Sequence, residues 1–196
     1  MVEPHVRHTV GLSVGPPSET SGLAVIETAD RAHAVRHLQR FTPGTAYSEI
    51  VLDVEKVLES LHDPVVVVDV TAVGAPIAER FRWSRASDWH VVLTAGERDT
   101  SRSPWRLPRL DVAAEVQIAL QEGRLSVARQ RLATELARDL RTFNPRPSAG
   151  AASELAWRDR PSDDLVLAVA VALVEADRPP ACITVVPIHR PRRWVV

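Results

Sequence analysis

The sequence predicts an α/β protein: a mixed sheet that opens with a three-stranded antiparallel meander and carries helices on both faces. Three observations lead there. The first forty residues contain closely spaced apolar runs broken by turn residues. Near residue 50 the apolar period lengthens from two to three and four. Residues 65–69 then read VVVVD, too apolar throughout for a strand with one face in water.

Each element follows in order. Residues 6–14 and 21–27 alternate as strands, with Gly15, Pro16 and Pro17 stopping the first. A third strand covers Ala32 to Phe41 and ends at Pro43 and Gly44. Strands this close in sequence pair antiparallel. Ile50, Val54, Val57, Leu58 and Leu61 recur at helical spacing, and His62, Asp63 and Pro64 terminate that helix. After the strand at 65–69 come a short helix, Ala75 to Phe81, and a strand, Trp89 to Leu93. Strand, helix, strand implies parallel pairing through a right-handed crossover. Leu107 to Leu120 and Arg129 to Leu140 are further helices, with Gly123 between them. Pro145, Pro147 and Gly150 mark Thr142 to Ser153 as a loop, which Trp157 closes against the core. The last helix runs from about Ser162 to Glu175, Ser162 capping its first turn. An apolar strand-like run, Ile183 to Val186, and a basic RPRR end follow. The expectation is one domain over residues 1–196, with its core at about 6–175 and an extension at 176–196.

The chain has 196 residues, 45% of them hydrophobic, and a formal charge of −1 from 24 basic and 25 acidic residues. That composition fits a globular domain and gives no global attraction to nucleic acid, although a local basic patch remains open. Cys182 is the only cysteine, which excludes a disulfide framework and a thiolate zinc site. No apolar run is long enough to cross a bilayer, and the N-terminus, with Glu3, His5 and His8, lacks a signal-like core. A cytoplasmic location is the resulting expectation.

The chemistry-bearing residues are acids. Asp69 closes a buried strand, where α/β folds concentrate their sites. Asp163 and Asp164 start the last helix, where negative charge suits the helix dipole. Carboxylates converging from these elements suit Mg2+ or Mn2+, with water and substrate phosphate completing the coordination. In two-metal phosphodiester hydrolysis one ion generates hydroxide and the other stabilises the leaving oxygen. The first strand should add a third acid but offers Ser13, whose hydroxyl brings no charge to hold two ions together. Glu19, in the following turn, is a candidate to compensate. Each acid also has a structural reading: Asp69 as a cap on the turn shaped by Thr71 and Gly74, the doublet and Asp111 as helix-start acids. The histidines form no zinc signature, His33 and His37 lying in a strand, and read as surface residues. The five tryptophans read as core or loop anchors, with a base-stacking platform as the alternative. Arg80, Arg82, Arg85, Arg98, Arg102, Arg106 and Arg109 make the middle basic and are candidates for phosphate contacts, a solvated face being the alternative.

Five segments in order carry a resemblance: VGLSVGPPSETSGLAVIE (10–27), VVVVDVTAVGAPIAERF (65–81), LPRLDVAAEVQIALQEGRLSVA (107–128), LATELARDLRTF (132–143) and SDDLVLAVAVAL (162–173). Together the sequence resembles the nuclease domain of phage large terminase subunits, in the ribonuclease H-like superfamily. The resemblance implies a ribonuclease H-like fold and a divalent-metal-dependent DNA endonuclease. Asp69, Asp164 and Asp163 match its metal-binding and catalytic acids, Asp164 being the preferred member of the doublet. Where that pattern expects a first-strand aspartate this chain has Ser13, so the alternative is an inactive scaffold binding DNA or a protein partner. Double-stranded DNA is the implied partner. No GxxxxGK[ST] loop occurs, so any packaging motor would be a separate ATPase.

Overall fold

The computed structural model describes residues 6–71, 73–81, 87–94, 97–143 and 163–178. The expected loop after Thr142, the Ser162 cap, Trp157, Cys182 and the run at 183–186 therefore lie outside the described residues. Among the described residues seven strands form one sheet, in the order β6-β5-β4-β1-β2-β3-β7. β1 (Arg7–Ser13), β2 (Ser21–Ala29) and β3 (Ala32–Phe41) make the antiparallel meander. β4 (Val65–Asp69), β5 (Ser87–Thr94) and β6 (Trp105–Pro108) add in parallel beside β1, and β7 (Leu125–Val127) adds in parallel beside β3. The mixed sheet and its meander agree with the sequence expectation.

Alternation sorts the strands onto two faces. Val10, Leu12, Leu23, Val25, Val66 and Val68 point to one side. There they meet α1 (Tyr47–Glu59) through Ile50, Val51, Val54 and Leu58, and α2 (Ala75–Phe81) through Ile77, Ala78 and Phe81. The other side carries Ala24, Ile26, Val35, Leu38, Val67 and Val91. It is covered by α5 (Asp164–Ala176), with α3 (Arg109–Gln121) and α4 (Ala133–Thr142) outside it. Sheet below and helices above explain why α5 is apolar all round and almost wholly buried.

Two glycines set how α5 lies. A Cβ on Gly11 would stand 2.0 Å from the Ala168 carbonyl oxygen, and one on Gly22 would stand 2.5 Å from that of Asp164. The helix therefore rests directly on the backbone of β1 and β2, its N-terminus at the carboxyl end of β1.

Structure and expectation differ most between residues 105 and 133. Trp105 to Pro108 forms an edge strand, so α3 begins at Arg109 rather than Leu107. β7 is an addition to the expected elements; three residues are too few to show a period. α4 starts at Ala133 rather than Arg129, because the preceding residues follow β7 along the edge of β3 and the Ala128 N–H donates to the Val35 carbonyl at 3.0 Å.

Candidate cation site at the carboxyl edge of the sheet

Register assembles the site before any side chain is considered. Asp69 pairs with Ser13, Ser13 with Gly22, and Gly22 with Arg40. Directly paired residues project to the same face, so one row runs Asp69, Ser13, Gly22, Arg40 across four strands beneath α5. Asp164 sits over Gly22. The predicted acids thus share one end of the sheet. The row also contains a residue that sequence reading does not select, Arg40.

Asp69 is buried, and its Oδ1 accepts from the Thr71 N–H at 3.0 Å and the Thr71 hydroxyl at 2.5 Å. The Thr71 Oγ1 accepts in turn from the Leu93 N–H at 2.8 Å. Gly74 comes close beneath: a Cβ there would lie 2.2 Å from the Asp69 carbonyl oxygen. The turn roles expected of Thr71 and Gly74 are therefore present. Ser13 is fully buried.

Asp164 is gripped by Arg40. Nε donates to Oδ2 at 2.9 Å and Nη2 to Oδ1 at 3.0 Å, the two-point geometry of a guanidinium on a carboxylate. The same guanidinium reaches α4, donating to Glu135 at 2.8 Å and Asp139 at 2.6 Å. Burial opposes the charged guanidinium, but hydrogen bonds to Asp164 and Asp139 outweigh it and hold the Arg40 pKa above its ordinary value. One permanent cation thus serves three carboxylates.

Asp163 has a separate partner. It occupies the N-cap position of α5 without a side-chain capping bond, and its Oδ2 accepts from Arg109 Nη2 at 2.9 Å. Both side chains are buried, and the Arg109 guanidinium also lies 5.2 Å from the centre of the Phe143 ring. Arg109 therefore cannot serve as the phosphate contact expected of it. Arg98 is likewise engaged, with Asp111 at 3.3 Å and with Glu115, so Asp111 is an ion-pair acid on the surface.

The donor set can be tested against a divalent ion. A two-ion centre needs several carboxylate oxygens directed at one point, with water and phosphate completing each shell. Ser13 supplies no charge, Asp163 faces Arg109, and Asp164 faces Arg40. Among the described residues no three His, Cys, Asp or Glu side chains are placed to hold a metal ion. The residues present do not fit the expected cation. Glu19 is half-buried in the β1–β2 turn, its N–H bound to the Pro16 carbonyl at 2.9 Å.

His33 corrects the surface reading of the histidines. It is buried, with Nδ1 3.0 Å from Thr28 Oγ1 and Nε2 3.0 Å from Asp177 Oδ1. Arg124 meets the same Asp177 carboxylate at 3.0 Å, closing a tie between β3, β7 and the end of α5. Trp105, expected as an anchor, is buried beneath the Arg178 guanidinium.

Similarity to known proteins enters through shape. No family model matches the chain, and no curated protein matches its sequence. Solved structures do match. The large terminase nuclease of thermophilic phage G20c, with bound zinc, superposes with a TM-score of 0.59 over 87% of this chain and 81% of its own, at 19% identity. The human cytomegalovirus terminase nuclease domain, manganese-soaked, gives 0.57 over 86% and 83%, at 15% identity. The chain has the fold of a large-terminase nuclease. The large terminase of another thermophilic bacteriophage also matches, with a TM-score of 0.61 at 13% identity, and this chain covers 41% of it. The terminase-nuclease fold and its ribonuclease H-like sheet agree with the sequence resemblance. No helix among the described residues is long and apolar enough to cross a membrane.

Proposed function

We propose that this protein is a terminase-nuclease-like module that does not cleave, keeping the fold as a scaffold for binding DNA or a protein partner. The observation that carries this reading is the Arg40–Asp164 pair. A guanidinium keeps its charge at any working pH and is tethered to β3, so a dissolved ion must displace it to reach Asp164. Arg109 protects Asp163 in the same way. Ser13 removes the remaining first-strand charge. Three separate features thus oppose a two-ion centre, and each acts by simple electrostatics.

The test is nicking of supercoiled plasmid with Mg2+ or Mn2+. The expected result is no nicking by the wild-type protein and none by Ser13→Asp alone, because both arginines still hold the helix acids. Metal-dependent nicking that disappears in Asp69→Asn or Asp164→Asn would overturn this reading. It would instead support the second one, a divalent-metal DNA endonuclease using Asp69, Asp164 and Asp163. That alternative draws on the presence of all three acids at one sheet edge. A cytoplasmic setting and a separate ATPase motor fit both readings and belong to the same proposal.

A further inference from the structure

Arg129, Arg131, Arg138 and Arg141 are all exposed, and among the described residues none of their guanidinium groups has a hydrogen-bond or ion-pair partner. From these residues we infer that the outer side of α4 and the segment leading into it form a docking surface for the phosphate backbone of duplex DNA. This rests on the scaffold reading, takes DNA rather than a protein as the partner, and adds the surface that holds it.

The helix segregates its side chains sharply. Leu132 and Leu136 are buried and Leu140 packs against the same core, fixing which side faces inward. Glu135 and Asp139 lie four residues apart on one flank, and both are drawn to Arg40. The acids of α4 are thereby both paired with Arg40, Asp139 buried and Glu135 partly exposed. What it offers to solvent at Arg138 and Arg141, one turn apart, is positive charge alone. Arg129 and Arg131 extend that charge along the approach to the helix. A molecule of net charge −1 thus carries a strip with four exposed arginines, and its one partly exposed acid, Glu135, is already paired with Arg40.

Helix stability does not explain the strip. Arg141 lies in the last turn, where a cation suits the dipole. Arg131 precedes the N-cap residue Leu132, where the dipole disfavours positive charge, and the first-turn acid, Glu135, is paired with Arg40 instead. Guanidinium groups without partners among the described residues, such as Arg138 and Arg141 one helical turn apart, repel one another. A dense, regular polyanion removes that repulsion, and duplex DNA presents one phosphate charge per about 1.7 Å of axis. Backbone contacts of this kind do not read sequence, so the docking is sequence-tolerant.

Fluorescence anisotropy with a short labelled duplex, repeated over a salt series, tests this on the full chain. Wild type should bind, with affinity falling steeply as salt rises. Substituting R131Q, R138Q and R141Q together should weaken binding about tenfold or more and flatten the slope of log K against log salt by about 2 to 3. The melting temperature should stay the same, because glutamine has similar helix propensity and the positions are exposed. Substituting R131K, R138K and R141K should keep affinity within about threefold, since phosphate contact needs charge rather than a particular shape. Absence of wild-type duplex binding, a glutamine variant that binds like wild type, or a lysine variant as weak as the glutamine one would each overturn the inference. So would binding to phosphatidylserine vesicles without binding to the duplex. Failure here leaves the nicking result untouched, and nicking leaves the arginine surface standing.

Discussion

Gly11 and Gly22 show how single atoms decide where the last helix lies. Alanine at Gly11 would drive its methyl into the Ala168 carbonyl and against the Ala172 Cβ. Neither neighbour is a flexible side-chain end, so the helix must shift off the sheet. Gly11→Ala should therefore cost about 3 kcal/mol or more, read from urea midpoints. Gly44→Ala is the comparison, at a φ of 85° with open space around it, where only the left-handed backbone penalty of about 1 kcal/mol applies. Similar losses at the two positions would contradict the close packing of α5. Glu175 makes a second residue-scale case. Burial raises its pKa above the ordinary carboxylate value, and its hydrogen bond to Arg178 only partly opposes this. A folded-state pKa above the unfolded one means stability that is fullest in acid and lost as pH rises through the folded value. Glu175→Gln should consequently raise the melting temperature at neutral pH, and the difference should vanish in acid. A gain that grows toward acid would reverse the sign of this argument.

At the scale of elements, two arginine clamps fix the N-terminus of α5. Arg40 joins it to β3 and α4, while Arg109 joins it to the start of α3. Arg109→Met would take the guanidinium away from the buried Asp163 carboxylate, which should destabilise by about 3–5 kcal/mol. Adding Asp163→Asn should recover most of that loss, since a neutral pair needs no counter-charge. Additive losses in that double-mutant cycle would show that the pair is not coupled. These clamps also mark where sequence reading stops. β1 to β4 and the long helices are legible because their apolar periods are sustained. β6 and β7, of four and three residues, are too short to show one. Asp69, Asp163 and Asp164 are legible as acids at element ends, but their partners are not. Arg40 lies 124 residues from Asp164, and Arg109 lies 54 from Asp163. A usable signal does exist for Arg40. It shares strand parity with Leu38, so it has to face the core, where a cation requires an acid.

Across the whole molecule, positive charge is divided between two tasks. Arg40 and Arg109 neutralise carboxylates within the fold, and Arg129, Arg131, Arg138 and Arg141 face outward without partners among the described residues. The first task carries a consequence for overall stability. An ion bound only to the folded state at a hundred times its dissociation constant would add about 2.7 kcal/mol. For a protein of this size that raises the melting temperature by about 5–10 °C. Here the arginines already brace the same end of the sheet, so Mg2+, Mn2+ or a chelator should move the wild-type melting temperature by less than about 2 °C. Arg40→Ala should lower stability and also leave Glu135, Asp139 and Asp164 without their cation. If those carboxylates then gather on Mn2+, the variant alone should gain melting temperature on its addition, and Asp164→Asn should abolish the gain. A wild-type protein that responds to Mn2+ as strongly as Arg40→Ala would mean that a dissolved ion displaces the guanidinium. The clamp would then be only the resting state of a working metal site.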